Sequence, residues 1–425
     1  MEVGIITMFH NSSNYGGVLQ AYALTKVLIN YGIEAEQIRY DNFSAFSFSR
    51  RLKNKLHKCA EIIKHPELIK YQWKIEKRAR IIVKASERLV PHSRKIYKEK
   101  NIRNCLADYS VFITGSDQVW HGEWPAYFLS FVPDGVKKIA YAVSTGKSYL
   151  STADIQKIKE HVKEYAAIFV READTKAILQ KAIPEKTIES ALDPSLLLDI
   201  EDWHAVASVR RIDEPYIFCY FLGADMGLRN VAREYADKYG LKLVTIPHMQ
   251  GKIEESDIDF GDIQVYDAAP QDFLSYIKYA EMIFTDSFHA TAFASIFQKQ
   301  YVVFGRTERK EMNNRIEMLT DIFHTGHRFI DNTEGLSIEH IEKIREIDYS
   351  NDGSNLIWIY PLTLKVTTAG LFVYAVAVVW FFSVINSVLF YVEMIGKYFF
   401  SKTKKNEVLA FYRNMYSNFA CSSSI

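Results

Sequence analysis

The sequence predicts an α/β protein in which two domains, each built on a parallel sheet, face each other across a cleft. Two observations indicate this fold class. Short apolar runs alternate with helical patterns in both halves of the chain, and a polar stretch at 199–214 separates the two series. Strand–helix–strand alternation implies right-handed crossovers between parallel strands. A chain of 425 residues, 48% hydrophobic and 24% charged, has room for two or three domains.

The first series begins almost at the N-terminus and predicts a Rossmann-like domain over residues 1–200. Its first strand–helix–strand unit has an apolar run at 2–7, helical spacing at 18–28 and a further strand at 33–40. The later predicted elements are strands at 111–114, 138–142 and 167–170 and a helix at about 152–165. Residues at about 50–100 are basic and predict a helical insertion, either a solvated surface or one that meets an anionic lipid-linked molecule.

The second series predicts another Rossmann-like domain over residues 215–350. Its predicted elements are strands at 216–222, 241–246, 282–285 and 301–304, with helices before Gly240, at 270–280 and at about 288–298. In open parallel sheets, ligands bind beyond the carboxyl ends of the strands. The segments that directly follow strands are therefore where functional residues are expected.

Residues 357–425 form a third region, an apolar helix followed by a basic tail. The segment 366–392 is uncharged and long enough to cross a bilayer as a tilted helix. Four lysines follow it and would keep the tail in the cytoplasm, so that a single span would place the preceding part of the chain outside. The N-terminus, however, lacks the pattern of a signal peptide, which predicts that this part stays in the cytoplasm. These two indications conflict, so the segment is either a membrane anchor or an aberrant end. The predicted location is the cytoplasm, at the inner face of the plasma membrane.

The charge balance and the cysteines exclude some classes of protein. Lys plus Arg is 52 and Asp plus Glu is 51, so the chain lacks the basic excess of a nucleic-acid-binding protein. The four cysteines lie far apart without CxxC spacing, which predicts neither a disulfide framework nor a metal site and fits a reducing compartment.

Two segments of the first half carry polar groups after predicted strands. Residues 11–17 precede a helix, and their glycines and the helix N-terminus favour an anion or a hydroxyl group; the alternative is a tight turn with an N-cap. After strand 111–114, Ser116, Asp117 and Gln118 can hold hydroxyl groups, and Asp117 can serve as a general base; the alternative is again a helix cap.

Three further positions favour anion binding. Arg171 directly follows a strand and can bind a carboxylate or phosphate through two nitrogen atoms, or else pair with Glu172 or Asp174. Ser287 can cap a helix whose first turn contains His289, so that a phosphate there would meet exposed N–H groups and the imidazole. Arg306 follows the next strand as a second anion-binding arginine.

Six motifs together resemble polysaccharide pyruvyl transferases. They are the runs at 7–24, 112–120, 138–144, 170–172, 192–195 and 285–289, which occur in the family's order and cover roughly residues 1–330. The resemblance implies a glycosyltransferase-B-like pair of Rossmann-like domains, phosphoenolpyruvate as donor, and neither metal nor cofactor. The sequence departs from the family at Ala290, where glycine is common, and in its apolar tail.

The resemblance also implies roles. Two hydroxyls of a glycan or lipid-linked oligosaccharide would add to C2 of phosphoenolpyruvate, releasing phosphate and forming a ketal. His289 would be the general acid, Asp117 the base, and residues 215–350 the donor domain. The resemblance implies that His289 and Arg171 serve the donor phosphate and carboxylate. With the positions after strands added, the predicted donor-binding residues are Arg171, Ser287, His289 and Arg306, and the predicted acceptor-binding residues are Asn14, Tyr15, Gly16, Gly17, Ser116 and Gln118. Two alternatives remain: a nucleotide-sugar-dependent glycosyltransferase of the same fold, and a non-catalytic, membrane-associated member of a polysaccharide assembly complex.

Overall fold

The computed structural model describes residues 2–42, 69–121, 124–147, 149–248, 255–306 and 313–349, except for the side chains of Ile69 and Lys70. All of these residues lie in one compact unit. The predicted tail 357–425, with its apolar segment 366–392, lies outside the described residues, as does part of the predicted insertion. Across the described ranges, no helix has the length and apolar character needed to span a membrane.

The first half is built on a sheet of seven parallel strands in the order β3-β2-β1-β4-β5-β6-β7. The strands are β1 (Val3–Ile6), β2 (Ala35–Tyr40), β3 (His92–Tyr97), β4 (Val111–Thr114), β5 (Lys137–Val143), β6 (Tyr165–Val170) and β7 (Ile188–Ser190). The α-helices of this half are α1 (Tyr15–Asn30), α2 (Ile69–Leu89), α3 (Thr152–His161) and α4 (Ala173–Ala182), and α5 (Ile200–Val206) leads to the second half. Short 3₁₀ turns occupy Ile102–Ala107, Pro125–Phe128 and Pro194–Leu196.

The second half is built on six parallel strands in the order β10-β9-β8-β11-β12-β13. The strands are β8 (Tyr216–Tyr220), β9 (Lys242–Thr245), β10 (Ile263–Gln264), β11 (Met282–Thr285), β12 (Gln300–Phe304) and β13 (Phe329–Ile330). The α-helices are α6 (Met226–Tyr239), α7 (Pro270–Lys278), α8 (Phe288–Ile296), α9 (Asn314–Ile322) and α10 (Ile338–Glu342). Two 3₁₀ turns lie at Glu255–Asp257 and Gly326–Arg328.

The central strands of both sheets are buried along their whole length. All four residues of β1, β4 and β11 are buried, as expected of strands covered by helices on both faces. The direction of strand succession reverses between β1 and β4 in the first sheet and between β8 and β11 in the second. Such reversal points open a crevice at the carboxyl ends of the strands, so each half has one natural ligand position.

The predicted α/β fold with parallel sheets is confirmed, but one predicted detail of the first half is wrong. The insertion at about 50–100 contains α2, yet His92–Tyr97 is a strand at the edge of the sheet, paired with β2. Its exposed Arg94 and Lys95 gave the segment its insertion-like composition, because edge strands often carry charges on their open side.

The segment predicted as a linker, 199–214, connects the two sheets but is partly helical. This segment includes helix α5, whose Trp203 is fully buried and donates from Nε1 to the carbonyl oxygen of Ser195 at 3.0 Å. The ring of Trp203 also meets Phe293 edge-on, with centroids 4.8 Å apart. One buried ring on a two-turn helix leaves too little periodicity in the sequence to distinguish the helix from a polar connection.

Candidate active site

The carboxyl ends of strands from both sheets come together around His289. The residue lies in the first turn of α8, directly beyond β11. On the other side stands Gly16, in the first turn of α1. A Cβ atom built on Gly16 would lie only 2.1 Å from Nδ1 of His289, so the position can hold only glycine while the imidazole keeps its place. The two halves are thus in direct contact at the histidine.

The imidazole of His289 is largely enclosed but keeps one nitrogen without a hydrogen bond. Its side chain is 12% exposed, and Nε2 lies 3.7 Å from Oδ2 of Asp193, slightly beyond hydrogen-bonding distance. Within the described residues, Nε2 has no hydrogen-bond partner. A carboxylate beside an imidazole favours one orientation of the ring. This arrangement suits a group that carries a proton during a reaction.

Asp193 is the carboxylate that links His289 to the first half. It is buried, and its Oδ1 accepts hydrogen bonds from the backbone N–H and the hydroxyl of Ser195, at 3.0 and 2.7 Å. Burial alone would raise the pKa of Asp193, but His289, Arg171 and Ser195 together hold it well below its usual value. Asp193 belongs to one of the sequence motifs, yet no role was predicted for it.

Arg171, predicted as part of an anion clamp, is buried among three carboxylates. Its side chain is 0% exposed, and Nη1 donates to Oδ2 of Asp193 at 2.8 Å. Nε donates to Oε1 of Glu172 at 3.2 Å, and Nη2 lies 3.8 Å from Oδ1 of Asp117. These carboxylates raise the pKa of the guanidinium despite its burial. The alternative of an ion pair with Glu172 is confirmed. Within the described residues Nη2 has no hydrogen-bond partner, so direct contact with a donor stays a prediction.

Asp117 lies at the junction of these groups with a side chain that still reaches solvent. It follows β4 in a left-handed backbone conformation, with φ of 69°, and its side chain is 16% exposed. Positive φ is uncommon for residues other than glycine and often marks functional positions. The carboxylate lies near the first turn of α1, since a Cβ on Gly17 would be 3.7 Å from its Oδ2. The predicted role of Asp117 as a base stays a prediction.

Two predicted acceptor-binding residues are structural instead. Tyr15 is buried, donates from its hydroxyl to the carbonyl oxygen of Ala268 at 3.0 Å, and stacks on Phe273 with centroids 4.8 Å apart. It therefore fastens α1 to the second half. Ser116 is also buried, and its hydroxyl donates to the carbonyl oxygen of Ala142 at 3.0 Å. Neither hydroxyl can meet a sugar, because each is enclosed and already bonded.

Of the other predicted acceptor positions, Asn14, Gly16 and Gly17 have structural roles, whereas Gln118 stays a prediction. Asn14 is the N-cap of α1, and its Oδ1 accepts from the N–H of Gly17 at 3.3 Å. Gly16 and Gly17 are buried in the first turn of that helix, which makes them packing positions rather than the predicted acceptor contacts. Gln118 is half-buried beside Gly146 and stays a predicted acceptor contact.

In the second half, Ser287 caps α8 as predicted, since its hydroxyl accepts from the N–H of Ala290 at 3.4 Å. Its neighbour Asp286 is buried and accepts from the N–H groups of Leu222 and Gly223, at 2.6 and 2.8 Å. Asp286 thereby ties the end of β11 to the segment after β8, at the reversal point of the sheet. The first N–H groups of a helix point outward and favour an anion, so the donor-binding prediction for Ser287 and His289 stands untested.

Arg306 is half-buried after β12, and its backbone N–H donates to Oδ1 of Asn313 at 2.9 Å. Within the described part of the chain, its side-chain Nε has no hydrogen-bond partner. Asn313 precedes α9, where Arg315 is a second buried arginine that sequence reasoning missed. Arg315 follows no strand, so the rule that selected the other positions could not find it.

A cavity of about 500 Å³ opens beside this junction, between α4 and α9. Its lining includes Glu172, Asp174 and Asn314, and the side-chain Nδ2 of Asn314 donates to Oδ2 of Asp174 at 2.9 Å. The cavity therefore lies where the two halves approach each other, next to the cluster around Arg171.

Comparison with known proteins agrees with the motifs. A family model described as polysaccharide pyruvyl transferase matches residues 14–308. A search of curated proteins found no match. Among solved structures, the UDP-GlcNAc 2-epimerase from Methanocaldococcus jannaschii is 13% identical, with a TM-score of 0.47 over 85% of this chain and 99% of its own. The glycosyltransferase SnogD from Streptomyces nogalater is 10% identical, with a TM-score of 0.42 over 88% and 99%. The family model spans most of the chain, including every residue of the cluster from Gly16 to Arg306, and the chain belongs to the polysaccharide pyruvyl transferase family.

Proposed function

We propose that the protein transfers the pyruvyl group of phosphoenolpyruvate to two hydroxyls of a sugar in a surface or exopolysaccharide precursor, as a ketal. The observation that carries this proposal is the placement of His289. Its imidazole lies at the N-terminus of α8, between Gly16 of the first half and the buried Asp193. A ring that is held on both sides and has one unbonded nitrogen is suited to proton transfer to a ligand at the strand ends.

The proposed reaction forms two C–O bonds and breaks one. One sugar hydroxyl adds to C2 of phosphoenolpyruvate while C3 takes up a proton and becomes a methyl group. The second hydroxyl then adds to C2, and the bond between C2 and the phosphate oxygen breaks. The two hydroxyl protons end on C3 and on the released phosphate, so atoms and charge balance without an oxidant or reductant.

The residues divide the work of this reaction. His289 delivers the proton to C3, and Asp117, with its partly exposed carboxylate, receives a hydroxyl proton. Ser287 and Arg306 lie on the side where the donor phosphate is expected, next to the positive end of α8. Arg171 is a positioning residue here, since it holds Asp193 and Asp117 rather than the donor.

The proposal is tested by replacing His289 with glutamine and measuring phosphate release from phosphoenolpyruvate in the presence of lipid-linked sugar acceptors. A general acid usually contributes about 100- to 10,000-fold, so a loss of that size in the turnover number is expected. His327→Gln is the matched control, because His327 is exposed on a turn outside the cluster. Unchanged turnover in the His289 variant would remove this residue from the mechanism.

A donor screen separates the proposal from its main alternative. Thermal stabilisation of the wild-type protein is measured with phosphoenolpyruvate and, separately, with nucleotide sugars. Stabilisation by phosphoenolpyruvate alone is the expected result, because a ligand that binds only the folded state raises its stability. Stabilisation by a nucleotide sugar alone would instead favour a glycosyltransferase. Binding of phosphoenolpyruvate without turnover on any acceptor would favour a non-catalytic role in polysaccharide assembly.

A further inference from the structure

Arg315 lies in the first turn of α9 with its charge unmatched. The residue is 6% exposed, and within the described ranges its guanidinium has neither a hydrogen bond nor an ion pair, with Nε fully enclosed. Taking an arginine out of water without a partner costs several kcal/mol in real proteins. Such a side chain is stable only if the rest of the fold compensates, and a bound anion would remove much of the cost.

The charges around Arg315 do not supply that anion. Burial is the first cause that lowers the pKa of Arg315, to about 10, and the nearby Arg171 and Arg306 lower it further. The carboxylates of Glu172 and Asp117 oppose this shift, but both already face Arg171. The carboxylates that act on Arg315 are therefore already paired with Arg171, while Arg306 has the buried Asp286 beside it at Gly223.

Arg315 is held in this region by contacts on both sides. Asn313 accepts from the backbone N–H of Arg306 and donates from its side chain to Oδ1 of Asp331 at 2.8 Å, which fixes the start of α9 against the second sheet. Asn314 donates to Asp174 of the first half at 2.9 Å. The position of Arg315 is thus set before any ligand arrives.

We propose that Arg315, together with Arg306, forms a binding site for a phosphate group at the junction of the two halves. A phosphate offers oxygens to both planar guanidinium groups, and such charge-assisted hydrogen bonds are the strong ones. If the proposed function holds, the ligand is the phosphate of phosphoenolpyruvate or the phosphate released from it. The site itself requires only a phosphate dianion and does not depend on the transfer reaction.

The test uses the full chain and inorganic phosphate as the probe. Affinity is measured by calorimetry for the wild type, Arg315→Met and Arg315→Lys, with the exposed Arg345→Met as a matched control. Loss of charge-assisted hydrogen bonds predicts about 10- to 100-fold weaker binding for Arg315→Met, an intermediate loss for Arg315→Lys, and no loss for Arg345→Met. Circular dichroism and thermal unfolding confirm that each variant is folded.

Two results would overturn this site, and both differ from failure of the proposed function. Phosphate could bind the wild type and Arg315→Met equally, or it could fail to bind the wild type at millimolar concentration. If phosphate binding depends on Arg315 while phosphoenolpyruvate supports no transfer, the site stands and the proposed function falls. If transfer occurs while Arg315→Met binds phosphate normally, the proposed function stands and the site falls.

Discussion

Two buried arginines at the same junction have opposite surroundings. Arg171, from the first half, faces Glu172, Asp193 and Asp117 and stacks over the ring of Phe288 at 5.0 Å. Arg315, from the second half, has no such partner within the described ranges. The sequence gives part of this difference, since Arg171 is followed directly by Glu172, whereas Asp193 and Asp117 are distant in the chain.

The difference indicates a division of labour between the halves. A buried cation that faces several carboxylates holds those groups in place. An unmatched cation has its hydrogen-bonding capacity in reserve. In the site that we propose, the first half positions Asp193, 3.7 Å from His289, and the second half supplies the charges that a donor phosphate would meet.

The largest effect expected from this comparison concerns stability. Removing one member of a buried charge network typically costs about 3–5 kcal/mol, because the remaining charges lose their compensation. Arg171→Met is expected to lower the free energy of unfolding by that amount. Arg315→Met should leave it within about 1 kcal/mol of the wild type or raise it, because an unmatched charge is replaced by an apolar side chain. Urea denaturation measures both values.

Equal losses for the two variants would contradict the comparison, since they would mean that Arg315 also belongs to a compensated network. Arg345→Met provides the baseline for an exposed arginine. Its free energy of unfolding is expected to stay within about 0.5 kcal/mol of the wild type, the usual range for surface substitutions.

Much of the fold was predictable from local pattern. The strands Val111–Thr114 and Met282–Thr285 match their predicted bounds, because buried parallel strands are short continuous apolar runs. Elements on the periphery were harder. The local sequences of edge strand His92–Tyr97 and helix Ile200–Val206 resemble an insertion and a linker.

The sequence predicted where the site residues lie in the fold, but not which of their side chains are exposed. Residues after strands do converge, and His289 lies in the first turn of its helix as expected. However, Tyr15 bonds to Ala268 and Arg171 to Asp193, at separations of 253 and 22 residues. Such partners decide whether a side chain faces a ligand or the interior, and one sequence does not reveal them.

The second prediction sharpens the comparison at the contact between the halves. Gly16→Ala would place a methyl group 2.1 Å from Nδ1 of His289, so the ring must move. Displacing a catalytic group by about 1 Å can cost roughly 100-fold, and a loss of that size in turnover is expected. Gly17→Ala, in the same helical turn, meets no atom closer than 3.6 Å and serves as the matched control.

Gly17→Ala should change turnover by less than about 3-fold, as expected for an added methyl group that makes only ordinary contacts. Comparable turnover in both variants would mean that His289 tolerates displacement and that the contact between α1 and α8 does not set its catalytic position. Both variants should unfold near the wild-type temperature, since the conflict at Gly16 involves a side chain and not the backbone.

The smallest expected effect concerns how stability depends on pH, where the two halves should differ in sign. An unfolded aspartate has a pKa of about 3.9. In the folded state, His289 and Arg171 lower the pKa of Asp193, although burial alone would raise it. Its contribution to the free energy of unfolding is therefore present above about pH 4 and lost as the pH falls. Burial raises the pKa of Asp286, so its contribution is present below about pH 4 and lost as the pH rises.

Unfolding free energies measured from about pH 3 to pH 6 for Asp193→Asn and Asp286→Asn test this difference, because each variant removes one titration. The free energy of unfolding of the wild type, minus that of Asp193→Asn, should increase with pH below about pH 4. The corresponding difference for Asp286→Asn should decrease with pH above about pH 4. Each slope is at most about 1.4 kcal/mol per pH unit, the value for one proton. Slopes of the same sign would mean that Asp193 is not held ionised by His289 and Arg171. In that case, the charge arrangement that we infer to position His289 would not exist in the first half.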